Sequence, residues 1–457
     1  MAGLAELATG APAGVDEALG LVAEFDDALT YGLGRLTEGR AAALASFAGA
    51  LAGTPLGAAA GEAAAKIASG AVAEEHLAAL AGGRAALFGA VHDALLARLD
   101  GCAGRERAEW REPGRGEDTA ANLLAGCRSW LTELAITGWR GVDHDLVSSA
   151  DPTLEALLAR PALRRQAVLL DGLAAELRAS CPVATLERVP ARRWADLWTR
   201  AVLLARGAGE EEPAETVSGR LLVLGVDVHE HGTAVQAQVH GVLETRDAAR
   251  LVRTSVTAAK VDTIVGPAVW RLLTGHPVLM GALAGRLTLN LKDMPLLAGG
   301  DLLWHDDRAS AGEPADPFAT ARVVLPRAVA PPVPPLDRHP VRIAEPVLLE
   351  GYKARRETLE LDGTTLAIDT GRLPACGPLT PALVAASTEC VGLMRWDGGR
   401  WAVQPLAVRA TVKKKPVEAH TGDWALGPAD PKIAKAEART GDAVAVLRER
   451  AGRLLRA

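Results

Sequence analysis

The sequence is poor in the residues that most often mark chemistry. Its 457 residues include five cysteines, four phenylalanines and two tyrosines. The cysteines are widely separated and form no C-x-x-C pair, which argues against the usual zinc and thiol-redox spacings and predicts reduced thiols in a cytoplasmic protein. They stand at Cys102, Cys127, Cys181, Cys376 and Cys390.

Known catalytic signatures are missing as well. The chain contains no G-x-S-x-G elbow, H-E-x-x-H helix, Walker A loop or G-x-G-x-x-G fingerprint. We therefore expect neither ATP hydrolysis nor dinucleotide binding, and we expect no cofactor and no metal. The formal net charge of −6 argues against a general nucleic-acid binder, which would normally need a basic domain.

One stretch without charge tests whether the chain enters a membrane. Residues Ala41 to Gly61 carry no charged side chain and have glycines at four-residue spacing, as in helices that pack closely in bilayers. Alanine and glycine contribute little transfer free energy, however, and Thr54-Pro55 interrupts the run. We expect two buried helices and no membrane span. The N-terminus also lacks the basic and apolar regions of a secretory signal, so a cytoplasmic location is expected.

What is present changes character near residue 215. Apolar residues recur at helical spacing up to about residue 206, whereas period-two strands follow from Leu221 onward. The pattern predicts an α+β protein: an all-helical N-terminal half, an irregular bundle, followed by a β-rich C-terminal half of antiparallel meanders. The predicted units are residues 1–206 (helical), 216–326 (antiparallel β with a short helix), 341–427 (a second β-rich unit) and 428–457 (a helical tail).

The first strands after the change suggest a hairpin. A two-residue turn at His231-Gly232 would pair Val228 with Val235 and Val226 with Ala237, which makes one face apolar. The opposite face is polar, and a third strand from about Leu251 to Val261 extends it. We take its residues as candidate ligand-binding positions, against the alternative of a solvated or domain-facing surface. They are Asp227, His229, Gln236, Gln238, His240 and Arg253.

Three histidines within twelve residues, His229, His231 and His240, first suggest a metal site. The hairpin argues against it, because His231 falls in the turn and His240 lies roughly 20 Å from His229 at the rise of a strand. Zinc ligands must lie a little over ~2 Å from one ion. A polar sheet surface is therefore the simpler interpretation.

Other residues are candidates for binding a partner protein. Trp194 and Trp198 lie four apart on one helical face, which indicates either a packing stripe or a partner surface. A run of lysines stands out because the chain has nine lysines in all, and an arginine-rich helix is predicted at the C-terminus. A solvated strand end and packing of that helix on its own domain are the alternatives. The basic candidates are Lys413, Lys414, Lys415, Arg448 and Arg453.

Two segments carry a family resemblance. Residues Arg193 to Arg200 and Gly225 to His231 resemble uncharacterised actinobacterial accessory proteins that accompany MoxR-type AAA+ ATPases and SWIM or von Willebrand A-domain proteins. The resemblance supplies no catalytic positions. It implies an adaptor or substrate-side component of an ATPase-driven remodelling system, with a MoxR-type ATPase or its operon neighbours as partners.

Three functional hypotheses follow. The leading one is a non-catalytic cytoplasmic scaffold or adaptor that acts through protein contacts. The second is an enzyme or small-ligand binder with a pocket at the seam between the halves, where the polar strand face would meet the Trp194/Trp198 helix. The third is a nucleic-acid-binding accessory protein that uses the basic C-terminal segments.

Overall fold

The computed structural model describes residues 6–7, 10–112, 121–160, 163–206, 212–361, 363–440, 444–446 and 449. Helices occupy the chain from Val15 to Leu204, and strands occupy it from Glu215 to His420. The predicted α+β class, with a helical half followed by a β-rich half, is confirmed.

The helical half is built from amphipathic helices that share one core. Each helix turns its apolar residues inward, and short polar caps mark some of the starts: the Thr37 side chain accepts a hydrogen bond from Arg40 N, and Asp143 accepts one from Leu146 N. The helices are α1 (Val15–Tyr31), α2 (Glu38–Ala50), α3 (Gly57–Ala68), α4 (Glu74–Ala103), α5 (Ala121–Thr137), α6 (His144–Ser148), α7 (Asp151–Leu158), α8 (Arg164–Ser180) and α9 (Ala191–Leu204).

Tryptophans anchor this core. Trp139, Trp194 and Trp198 are fully buried, and the rings of Trp139 and Trp194 meet edge to face with centroids 6.0 Å apart. Burial of such large rings contributes strongly to stability, and each indole N–H of the α9 pair has an acceptor: Glu176 for Trp194 and Leu131 O for Trp198. The four-residue spacing in α9 therefore marks a packing stripe.

Helix α4 belongs to two cores. Its first half contributes Leu77 and Leu80 to the helical core. Its second half, around Leu95 and Leu99, packs instead among residues of the C-terminal sheet such as Val347. This helix of 30 residues thus ties the helical half to the strands.

Five of the first six strands form a closed sheet. β1 pairs with both β2 and β4, β2 pairs with β3, and β5 bridges β3 and β4. The β3–β5 pairing is parallel and the others are antiparallel, with β6 continuing along β4. The strands are β1 (Glu215–Glu230), β2 (Ala234–Glu244), β3 (Ala249–Ala259), β4 (Leu287–Leu296), β5 (Asp301–Leu302) and β6 (Ala309–Pro314).

A second closed sheet repeats this connectivity. β7 and β8 together act as its first strand, since β7 pairs with β11 and β8 pairs with β9. β9 pairs with β10, β10 runs parallel to β12, and β12 pairs with β11 and with the added strand β13. The strands are β7 (Glu345–Glu350), β8 (Lys353–Arg355), β9 (Thr358–Leu361), β10 (Thr364–Ile368), β11 (Ser387–Asp397), β12 (Arg400–Val412) and β13 (Lys415–His420).

Both sheets place helical turns between their third and fourth strands, and both have the strand connectivity of the OB-fold. The antiparallel meanders predicted from the sequence are thus parts of two closed five-stranded units. The further helices are α10 (Pro277–Gly285), α11 (Pro317–Val323), α12 (Pro381–Ala385) and α13 (Pro431–Thr440). Because the same fold carries many functions, the connectivity alone does not define this one.

The predicted hairpin forms with a shifted register. The turn falls at Gly232-Thr233, closed by a 2.8 Å hydrogen bond from His231 N to Ala234 O, and Val228 faces Ala237. The predicted partner, Val235, was wrong by two residues. Moving a two-residue turn by one position shifts the register by two, so the side chains from Val226 to His229 keep their predicted faces.

The two closed sheets pack face to face around residues that a bulge turns outward. The register of β1 against β2 breaks between Val223 and Gly225. Leu222, just before the break, and Leu224, within it, join an interface with Val391 of β11. A Cβ at Gly225 would lie 2.6 Å from the Cβ of Leu406, so glycine permits this close approach. A proline-rich connector follows from residue 327 and contains two short 3₁₀ turns, Pro335–Asp337 and Pro340–Arg342.

Candidate functional site

The six predicted ligand-binding residues do lie on one face of the first sheet. Asp227 faces Gln238, His229 faces Gln236, and His240 faces Arg253 across neighbouring strands. This polar face meets the second closed sheet at its inner end, whereas the Trp194/Trp198 stripe lies in the helical core. The pocket expected between that face and those tryptophans is therefore not formed.

Asp227 is the centre of a buried hydrogen-bond network. Its carboxylate accepts hydrogen bonds from Arg395 Nη2 at 2.5 Å and from Gln404 Nε2 at 2.7 Å, and His229 Nε2 lies 3.0 Å away. Burial alone would raise the pKa of Asp227, but His229, Arg395 and Gln404 together hold it well below its ordinary value. With both oxygens occupied, Asp227 is a structural anchor between the sheets.

His240 and Arg253 serve the same junction. His240 is buried and its Nε2 has no hydrogen-bond partner, and burial together with the Arg253 charge lowers its pKa to about 3. Arg253 donates to Asp301 at 2.7 Å and 3.1 Å. Gln238 donates to Ser255 at 3.3 Å, and Gln236 is half-buried. These side chains contact one another and neighbouring residues, and they do not line an open ligand site.

The three histidines of this hairpin do not converge: His229 bonds Asp227, His231 lies at the exposed turn and His240 is enclosed. Over the described ranges, no group of three or more His, Cys, Asp or Glu side chains could hold a metal ion. In those same ranges, every helix is too short or too polar to cross a membrane.

The partner-binding candidates are scattered. Trp194 and Trp198 are buried, so their packing interpretation is the one that fits. Lys413 and Lys414 form the exposed turn between β12 and β13, both with left-handed backbone (φ of 50° and 65°), and Lys415 begins β13. Arg448 and Arg453 lie outside the described residues.

A large cleft does lie at a seam between the halves, at a different place from the one predicted. Its volume is about 790 Å³, which is in the range of ligand pockets. Helices α8 and α9 form one side, and the 3₁₀ turn at 340–342 and the β11–β12 hairpin form the other. We call it the seam cleft. Its principal lining residues are Arg165, Val168, Arg192, Arg193, Asp196, Arg200, His339, Val341, Arg342 and Trp396.

Three of these arginines converge on one carboxylate oxygen, Asp337 Oδ1. The nearest guanidinium nitrogens of Arg165, Arg200 and Arg342 lie 3.8, 3.2 and 2.5 Å from it. We call these three residues the arginine triad. Arg165 and Arg342 are each about half exposed, at 52% and 47%, so the triad is open to the cleft.

The base of the seam cleft is fixed by a buried ion network. Arg84 donates to both carboxylate oxygens of Asp26, at 2.7 and 2.9 Å, and its Nη1 lies 2.6 Å from Asp196. His339 stacks on Phe88 with ring centroids 4.2 Å apart, and its Nδ1 accepts a hydrogen bond from Val341 N. These contacts hold the 3₁₀ turn of the connector against the helices, which positions Arg342.

Sequence reasoning missed the seam cleft. Arg193 and Arg200 stand in the α9 segment that carries the family resemblance, but no binding role was predicted for them. The available signal was the pair of helix starts Arg164-Arg165 and Arg192-Arg193, where acidic residues are the usual choice.

Comparison of the chain with protein-family models, curated proteins and solved structures found no match.

Proposed function

We propose that this protein is a non-catalytic cytoplasmic adaptor that binds an acidic segment of a partner protein in the seam cleft. The observation that carries the proposal is the cleft itself: five arginines line it together with apolar side chains. Such a surface is complementary to a segment that alternates carboxylates with apolar residues.

The apolar part of the cleft favours a peptide segment over a small inorganic anion. Val168 is 65% exposed and Val341 is 42% exposed, both beside the arginine triad. Contact with apolar side chains of a partner would remove these valines from water, while the arginines pair with its carboxylates. The arginines would also speed association with an acidic partner.

A binding role also suits the chemistry of the lining residues. Those described as lining the seam cleft include no serine, cysteine or lysine that could act as a nucleophile. His339 has one ring nitrogen bonded to Val341 N, and the other lies 3.3 Å from Asp196. Its orientation suits the support of the 3₁₀ turn rather than proton transfer to a ligand.

The resemblance to accessory proteins of MoxR-type ATPase systems suggests where to look for the partner. A MoxR-type ATPase, or a SWIM or von Willebrand A-domain protein encoded beside it, is the first candidate. An adaptor of this kind would deliver or hold a substrate for the ATPase without carrying out chemistry itself.

Affinity purification of the tagged full-length protein from its native host tests the proposal. We expect the wild type to recover a stoichiometric partner, and the double variant Arg165→Glu/Arg342→Glu to lose it, because two cationic contacts become anionic. The matched control is Arg355→Glu, which reverses an arginine that is 73% exposed on β8. The partner should be lost from the cleft variant but not from the control. In the wild type, binding of the partner should weaken as the salt concentration rises.

Two results would contradict the proposal: a wild-type protein recovered alone as a monomer, or a partner retained equally by the cleft variant. Circular dichroism of each purified variant separates loss of binding from loss of fold.

A further inference from the structure

The arginine triad carries more positive charge than its surroundings neutralise. Three guanidiniums share the single carboxylate of Asp337, which leaves an excess of two positive charges in this cluster. Asp196, which also acts on Arg200, is already paired with Arg84 at 2.6 Å. Burial together with the Arg200 charge lowers the pKa of Arg342 to about 10, although nearly half of its side chain is exposed. Burial and the Arg165 charge also lower the pKa of Arg200, against the opposing effect of Asp337. Both remain cations at neutral pH.

The helices that supply the triad add to this positive field. The first turn of α8 contains Arg164 and Arg165, and the first turn of α9 contains Arg192 and Arg193. A helix N-terminus already carries about half a positive charge from its backbone dipoles, so arginines there raise the local potential. Arg165, Arg192 and Arg193 all line the seam cleft. The N-terminus of α8 acts on the triad directly through Arg165, whereas Arg200 lies in the second half of α9, away from the N-terminus of that helix.

A phosphate monoester matches this arrangement better than a carboxylate does. Its charge is about −1.5 to −2 at neutral pH, close to the excess of the triad, and it offers three strong acceptor oxygens. A carboxylate brings one charge and two oxygens. Guanidinium forks pair with phosphate oxygens in a planar, often bidentate geometry, which three arginines from three separate elements can supply from different directions.

Building on the proposed function, we infer that the arginine triad is a subsite for a phosphoryl group carried on a serine or threonine of the partner's acidic segment. Asp337 holds the three guanidiniums together until the phosphoryl group binds. Val168 and Val341 then contact apolar residues that flank the phosphorylated side chain.

The inference can be tested with three short fluorescein-labelled peptides and the full-length protein. The peptides share the same aspartates and leucines and differ at one central position, which is serine, phosphoserine or glutamate. Fluorescence anisotropy should show the phosphoserine peptide binding about 10-fold or more tighter than the other two, the range expected when a charged hydrogen bond is added.

Two variants assign the preference to the triad. Arg342→Gln should abolish the preference for phosphoserine, whereas Arg355→Gln should keep it. Arg355 is the control because it lies on β8 outside the seam cleft, is 73% exposed and pairs with Glu360 rather than with Asp337. Inorganic phosphate should compete with the phosphoserine peptide more strongly than chloride at the same ionic strength.

The outcomes separate this inference from the proposal beneath it. If the glutamate peptide binds as tightly as the phosphoserine peptide, the phosphoryl subsite is wrong and acidic-segment binding stands. If Arg342→Gln keeps the preference, the triad is not the subsite. If free phosphoserine binds as tightly as the peptide, the ligand is a small phosphate monoester and not a partner side chain. If the wild type binds none of the peptides, both proposals fail.

Discussion

Two carboxylates in this molecule are each surrounded by arginines, yet they have opposite surroundings. Glu345 lies between Arg105 and Arg107 at 2.8 and 3.1 Å, and Arg107 also pairs with Asp100, so two cations meet two anions. Asp337 faces three cations alone. The first cluster is enclosed and the second opens into the seam cleft. The Glu345 network therefore stabilises the fold, whereas the Asp337 network can still accept an anion.

The pKa directions follow the same division. Burial alone would raise the pKa of Glu345, but Arg107 and Arg105 lower it to about 2. Burial would lower the pKa of Arg107, and its two carboxylate partners raise it instead. We call Glu345, Asp100, Arg105 and Arg107 the balanced cluster, because each of its charges stabilises an opposite one. In the arginine triad, by contrast, the pKa of Arg342 is lowered.

Removing the Glu345 carboxylate from the balanced cluster should have the largest effect on stability. Glu345→Gln leaves Arg105 and Arg107 buried with one partner fewer, and we expect the free energy of unfolding to fall by about 3–5 kcal/mol. The control is Asp337→Asn, for which we expect a change within about 1 kcal/mol because its partners are partly exposed. Urea denaturation of both variants measures the difference. Equal losses would remove the distinction between the two clusters.

The buried imidazole of His240, which lies near the balanced cluster, should make stability depend on pH. His240 is influenced by Arg253, Asp227, Arg395 and Glu345, and its pKa of about 3 lies below the ordinary value of 6.5. The unfolded chain therefore binds a proton below pH 6.5 that the folded protein does not. Stability should fall as the pH drops from 6.5 towards 3, by up to about 1.4 kcal/mol per pH unit.

Comparing wild type with His240→Asn isolates this contribution. Between pH 6.5 and 4.5 the variant should lose less stability than the wild type, because its amide does not titrate there. Glu345, with an ordinary value of 4.5 and a folded pKa of about 2, begins to lose its own contribution near the lower limit, but it is present in both proteins and cancels in the comparison. Parallel stability curves for the two proteins would show that His240 is accessible to protons in the fold.

The smallest expected effect is stabilisation of the protein by an anion that binds the arginine triad. Inorganic phosphate at about five times its dissociation constant should raise the free energy of unfolding by about 1 kcal/mol. Sodium chloride at equal ionic strength should not reproduce the gain, and Arg342→Gln should abolish it. A thermal shift of the same size in that variant would assign the effect to non-specific salt stabilisation.

Much of the fold could be predicted because period and composition are local signals. The helical half and the faces of the first hairpin both follow from residue spacing. Closure of the two sheets could not be predicted. It depends on very short strands, β5 with two residues and β8 with three, whose sequences have no measurable period.

The candidate site was less accessible to sequence reasoning. Arg165, Arg200 and Arg342 are far apart along the chain, and each alone is typical of a solvated surface residue. Only the packing of the connector against α8 and α9 brings them to Asp337. The polar face of β1 to β3 was located correctly, but the second sheet that covers Asp227 and His240 is more than a hundred residues away.

Helix α4 determines how this chain can be divided. At 30 residues it is about 45 Å long, enough to reach from the helical core to the second closed sheet. A fragment that ends at residue 206 would keep the helix but expose Val91, Leu95, Leu96 and Leu99 to water. The C-terminal fragment would lose the same apolar stripe from its core. Expression of either half alone is therefore expected to give aggregation-prone material, whereas co-expression of the two fragments should reconstitute the native fold.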